Sequence, residues 1–145
     1  MKLSRASFVI ALLLAGCGQA REPSVEGAWL RLAAAPGRPA SAYFTLNGGR
    51  TDELLMSVTS PVAIKSEMHE TTKSGSMSSM APLRQIALPA KGEIAFAPGG
   101  KHVMLFDMNP RIKPGSTVPL LLTFADSTKI NVEVKAIAAG DPPPK

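Results

Sequence analysis

The chain has 145 residues with 16 basic against 11 acidic side chains, a net charge of +5 that falls to +3 once Lys2 and Arg5 of an N-terminal leader are set aside. That length suits a single domain with one core of ordinary size. The charge is mild and no basic run is interleaved with aromatics, which argues against nucleic-acid binding.

Met1 to Ala20 reads as a targeting segment. Lys2 and Arg5 form a positive start, Phe8 to Leu14 an apolar stretch, and small residues follow. The apolar run is too short to span a bilayer. Leu14-Ala15-Gly16-Cys17 resembles the lipobox of bacterial lipoproteins, with cleavage before Cys17 and acylation of its thiol. An ordinary signal cut after Ala20 is the alternative. Cys17 is the only cysteine; it has no disulfide partner within the chain, and acylation would remove a free thiol from an oxidising compartment. The expected organisation is a signal peptide over 1–16, Cys17 and a linker over 17–26, a folded domain over 27–138 and a proline-rich tail over 139–145. Such a protein is extracytoplasmic and held to a bacterial membrane by its lipid, the outer membrane of a Gram-negative cell being one option.

From Gly27 onward the pattern is strands and turns. Candidate strands are Ala28–Leu32, Ala42–Leu46, Glu53–Val58, Val62–His69, Glu93–Ala97, His102–Asp107, Leu120–Phe124 and Lys129–Ala136. Ile130, Val132 and Val134 alternate with polar neighbours, the period of a half-buried strand. Turn formers separate the runs: Ala35-Pro36-Gly37, Asn47-Gly48-Gly49, Ser60-Pro61, Pro98-Gly99-Gly100 and Lys113-Pro114-Gly115. No amphipathic helix competes. The pattern predicts an all-β antiparallel sandwich or barrel.

The chemistry concentrates between Glu67 and Met108, which hold both histidines and five of the seven methionines. Imidazole nitrogen and thioether sulfur together suit a soft metal, and thioethers select Cu(I). Ten residues separate His69 from Met80, twenty-one separate Met80 from His102, and one separates His102 from Met104. On a strand, residues two apart share a face, so His102 and Met104 project together while Val103 and Leu105 point into a core. In the preceding candidate strand Val62, Ile64 and Met68 share the core face, and Lys65, Glu67 and His69 the other. Glu67, beside His69, is a candidate hydrogen-bond partner of its ring. Met80 lies in the polar segment Lys73-Ser74-Gly75-Ser76-Met77-Ser78-Ser79-Met80, read as a loop, where a large apolar side chain needs somewhere to dock. Met77 is a possible auxiliary ligand from the same segment. Met56, between Leu55 and Val58, reads as core.

The pattern His69, Met80, His102, Met104 resembles the PCuAC family of bacterial periplasmic copper chaperones. The flanking phrases Glu67-Met68-His69-Glu70-Thr71 and Pro98-Gly99-Gly100-Lys101-His102-Val103-Met104-Leu105 are similar to it as well, and the likeness spans roughly Gly27 to Ile137. The resemblance implies a cupredoxin-like Greek-key fold and one Cu(I) per chain held by His69, Met80, His102 and Met104. It also implies a monomeric carrier whose partner is a copper-accepting subunit or assembly factor of a haem–copper oxidase, the CuA centre being an example.

The donor set supports a monovalent ion, since two neutral imidazoles and two thioethers bring no charge. Zinc prefers more imidazole, thiolate or carboxylate. A blue-copper centre needs a coordinating cysteine, and the only one lies at the leader. No Cys-x-x-Cys or Gly-x-Ser-x-Gly motif points to an enzyme. Copper sequestration uses the same site and is the close alternative. A metal-free, lipid-anchored interaction module is the more distant one.

Overall fold

A computed structural model describes residues 22–145; the expected leader and the acylated Cys17 lie outside the described residues. Ten strands follow in order: β1 Ser24–Arg31, β2 Ala40–Asn47, β3 Glu53–Thr59, β4 Ala63–Ser74, β5 Met77–Leu83, β6 Ile86–Leu88, β7 Glu93–Phe96, β8 Lys101–Met108, β9 Thr117–Phe124 and β10 Lys129–Ile137. They form one sheet ordered β5-β4-β8-β7-β2-β1-β10-β9-β3-β6, with β8 also pairing β2. The sheet folds over so that β2 and β8 pack across a common core with β3 and β9. This is the expected all-β, cupredoxin-like fold. The pairing is antiparallel except where β1 meets β10, with Trp29 beside Lys135 and Arg31 beside Ile137, and at a brief contact of β7 with β8.

Period-two alternation builds the core. On β9 Val118, Leu120, Leu122 and Phe124 are buried, and on β2 Ala40, Ala42, Phe44 and Leu46 face them. Each fully buried Val, Leu or Phe contributes roughly 1.5–3 kcal/mol of transfer free energy. Phe44 and Phe96 stack across the β2–β7 pair with centroids 4.3 Å apart. Ser60, buried in a turn, donates its hydroxyl to the Pro119 carbonyl at 2.7 Å, satisfying a polar group that would otherwise be costly to bury. Close backbone approach requires Gly48: a Cβ there would lie 2.2 Å from the Pro89 carbonyl oxygen.

Several local expectations are corrected. The first strand starts at Ser24, ahead of the expected domain start at Gly27, and pairs with β2 from there. The segment around Met80 is not a loop: β4 runs on to Ser74, turns at Gly75-Ser76 and returns as β5. Serine and threonine supply no apolar periodicity to announce a strand, yet a two-residue turn with Gly75 at φ 61° closes the hairpin. The short β6 is an addition to the expected strands, its three residues being too few to show a period. Met56 is 40% exposed rather than core, because the β3–β9 register slips between Leu55 and Ser57 and Met56 is the extra residue of that bulge. Ile64 is 84% exposed; it sits at the start of β4, opposite the strained end of β8 where Asp107 has φ 50°, so of that expected face Met68 is buried and Val62 packs against the core while Ile64 does not.

Candidate metal centre

The β5-β4-β8 sector places the donors. Met68, Val103 and Leu105 point inward and are buried, so the alternate residues His69, His102 and Met104 lie on the outer face. In the β4–β8 register His69 stands directly opposite His102, and Glu67 opposite Met104. In the β4–β5 register Met80 stands opposite Thr71, two residues along from His69. Directly paired residues share a face and diagonal neighbours are within reach of long side chains. All four sequence-predicted donors therefore share one face across three adjacent strands. Met77 does not: it pairs with Ser74, and the odd separation from Met80 puts it on the hairpin's opposite face, which corrects its expected auxiliary role.

The two imidazole rings lie side by side, centroids 6.0 Å apart and planes inclined by 28°. His102 is only 6% exposed although it faces away from the core. Its Nδ1–H donates to the Gly100 carbonyl at 2.9 Å, which leaves Nε2 as the bare nitrogen. The arrangement at His69 is reversed. Its Nε2–H donates to Glu67 Oε2 at 2.9 Å, while Nδ1 is buried with no hydrogen-bond partner. Turning the ring over would bring a carbon against the carboxylate, so Glu67 sets both the tautomer and the orientation. A buried acceptor without a partner costs about 1–3 kcal/mol, and a bound metal ion would remove that cost.

Glu67 is itself held by Lys65, whose Nζ lies 2.6 Å from Oε1. The Lys65 hydrogen bond, followed by that of His69, lowers the Glu67 pKa below the ordinary glutamate value. Its carboxylate therefore persists as an acceptor to lower pH than usual, and the contact weakens only as pH falls through that depressed value. Glu70, the other acid flanking His69, is taken by Lys101 at 2.7 Å.

Among the described residues no cluster of three or more His, Cys, Asp and Glu side chains could hold a metal. This face presents two imidazoles, two thioethers and the carboxylate of Glu67, already engaged by Lys65 and His69, a softer set than the oxygen-rich environment hard cations take. Met104 is half-buried, and Met80 is 57% exposed on the edge strand. A groove lies at the other end of β4 and β8, lined by Ile64, Met108, Pro110 and Ile112 among others. It contains neither histidine.

A family model described as "Putative lipoprotein LpqE-like" matches residues 24–136. The chain belongs to the LpqE-like family. A relative in Leifsonia xyli subsp. xyli, named "Putative lipoprotein Lxx21020", is 30% identical over 148 aligned positions, covering 92% of this chain and 89% of the relative. Among solved structures, the fold of this LpqE-like chain matches the copper-bound PCuAC domain from PmoF2 with a TM-score of 0.68 at 21% identity. That match covers 83% of this chain and 96% of the other. The solution structure of CuI-DR1885 from Deinococcus radiodurans matches with a TM-score of 0.67 at 28% identity, covering 85% of this chain and 83% of that one.

Proposed function

We propose that this LpqE-like protein is an extracytoplasmic, lipid-anchored carrier that binds one Cu(I) and passes it to a partner, rather than an enzyme. The observation that carries the proposal is the pair of facing histidines. Each has one ring nitrogen engaged by a protein acceptor and the other bare, on a face shared with Met80 and Met104. His69 Nδ1, His102 Nε2 and the two thioether sulfurs form a neutral, soft donor set suited to Cu(I). The likeness to CuI-DR1885, a Cu(I) form by its name, supports the choice of metal. The lipoprotein descriptions of the family and of the Leifsonia relative support acylation at Cys17. Exposure of Met80 favours a carrier over a store, because a ligand at the surface can be exchanged without opening the fold. The recipient we infer is a copper centre of a respiratory haem–copper oxidase, such as CuA.

The test is an anaerobic Cu(I) titration of the domain from Gly18 onward against a chromogenic Cu(I) chelator, with X-ray absorption of the loaded form. One ion per chain with two nitrogen and two sulfur neighbours is the expected result; absence of competitive binding sinks the proposal. In the same titration Glu67→Ala weakens binding by about 10- to 100-fold, the usual cost of losing a ligand's hydrogen-bond partner. Glu67→Gln, which keeps an oxygen acceptor for Nε2–H, loses less. Equal losses in the two variants would remove Glu67 from the role of ring-setter.

A further inference from the structure

The two edges of the sheet differ. At one end β6 has only three residues, and its Ile86 and Leu88 are buried. At the other end β5 has seven, the first six exposed and none charged. Natural edge strands are guarded against pairing by charge, proline, bulges or brevity. The only such guard on β5 is Pro82, which stands near its far end.

The direction of the free backbone groups follows from one bond. The Thr71 N–H donates to the Gly100 carbonyl at 3.1 Å, toward β8 and away from β5. Thr71 and Met80 are therefore a pair without mutual hydrogen bonds, since such pairs alternate along an antiparallel ladder. The N–H and C=O of Met80 consequently point to the open edge, as do those of Ser78 and the carbonyl of Pro82. The backbone of a proposed copper ligand is thus itself the centre of an unpaired strand edge.

Charge around this edge is one-sided. Lys73, opposite Ser78, and Arg84, which follows β5, are exposed and enter no ion pair among the described residues. The nearby acids are already engaged, Glu67 by Lys65 and His69, and Glu70 by Lys101. The edge complements an extended segment that bears carboxylates.

We infer that the free edge of β5 is a strand-addition site, where an acidic extended segment of the copper-exchanging partner pairs with Ser78 and Met80. The inference rests on the proposed Cu(I) role of Met80. A strand added here lies about 4.8 Å from β5, and a methionine directly opposite Met80 has its Cβ about 5 Å away. Cu(I) then moves by ligand exchange: the bond to the Met80 sulfur breaks as one to the incoming sulfur forms, with no electron or proton transferred. Pro82 keeps the ladder short, which suits a complex that must dissociate after exchange.

The probe is a synthetic peptide, acetyl-Asp-Thr-Val-Met-Val-Thr-Asp-amide, titrated into the metal-free domain and followed by amide chemical shifts. The expected shifts centre on Ser78 and Met80. They are lost with the same peptide N-methylated at its methionine, and the affinity falls at least tenfold in Ser78→Pro. Residue 78 makes no hydrogen bond to β4, so Ser78→Pro keeps its Cu(I) affinity within threefold of the parent. Undisturbed Ser78 and Met80 amides at several millimolar peptide overturn the inference, as does unchanged peptide binding by Ser78→Pro. Self-association that Ser78→Pro abolishes would make a second copy the occupant and overturn the partner assignment. Failure of the parent domain to bind Cu(I) would instead count against the proposed function, because the peptide readout uses no metal.

Discussion

Replacing His102 with alanine is expected to weaken Cu(I) binding by at least about a hundredfold, or about 2.7 kcal/mol. His102 is the most enclosed of the proposed donors, 6% exposed and held through Nδ1 by the Gly100 carbonyl. Its Nε2 is thus aimed before the ion arrives, and little ordering remains to oppose binding. Loss of an outer hydrogen-bond partner alone lowers metal affinity about 10- to 100-fold, so loss of the ligand itself should exceed that range. Met80→Ala on the exposed edge strand should cost at least about tenfold, or 1.4 kcal/mol. Both variants keep the β-sheet signature in circular dichroism, because the core face of β8 is carried by Val103 and Leu105 rather than by His102. Anaerobic chelator competition reads the affinities. Binding by His102→Ala within threefold of the parent would take His102 out of the donor set and the proposed site with it.

Replacing Leu122 with alanine is expected to destabilise the domain by about 2–5 kcal/mol. Leu122 has no exposed surface and lies between Val58 on β3 and Ile130 on β10. A cavity opened there is surrounded by paired backbone on both sides, which limits collapse around it. For a domain of this size the loss lowers Tm by roughly 10 °C or more. Ile64→Ala is the matched control: Ile64 is 84% exposed, and its truncation should change stability by no more than about 0.5 kcal/mol. Thermal denaturation followed by circular dichroism measures both. Comparable losses in the two variants would contradict the burial that separates them.

The contrast between Leu122 and Ile64 shows which kind of information a strand pattern carries. Both sit in runs of β-branched and aliphatic residues, and period-two alternation assigns each to a face. Alternation holds along β9, which adds no extra residue to either of its ladders and pairs regularly with β10. It fails at Ile64 at the start of β4, opposite Asp107 with its φ of 50°, and at Met56, where an extra residue enters β3. A bulge is a property of two paired strands, and neither strand's sequence records it alone.

Sequence by itself determined the types of donor available, the absence of a second cysteine, the all-β pattern, and the shared face of His102 and Met104. All of these are composition or same-strand parity, which depend only on local geometry. The same parity placed Glu67 on the side of His69, where the 2.9 Å contact is found. Tertiary structure alone decided that His69 stands opposite His102, that Met80 sits on an edge strand and that Met77 faces away from it. It also decided that one imidazole offers Nδ1 and the other Nε2. The physical reason is that register between strands distant in sequence is selected by the whole core, through burial of Met68, Val103 and Leu105 together. A one-residue slip would turn His69 and Met104 inward, and that choice is made by packing across the sheet rather than by any single run of residues.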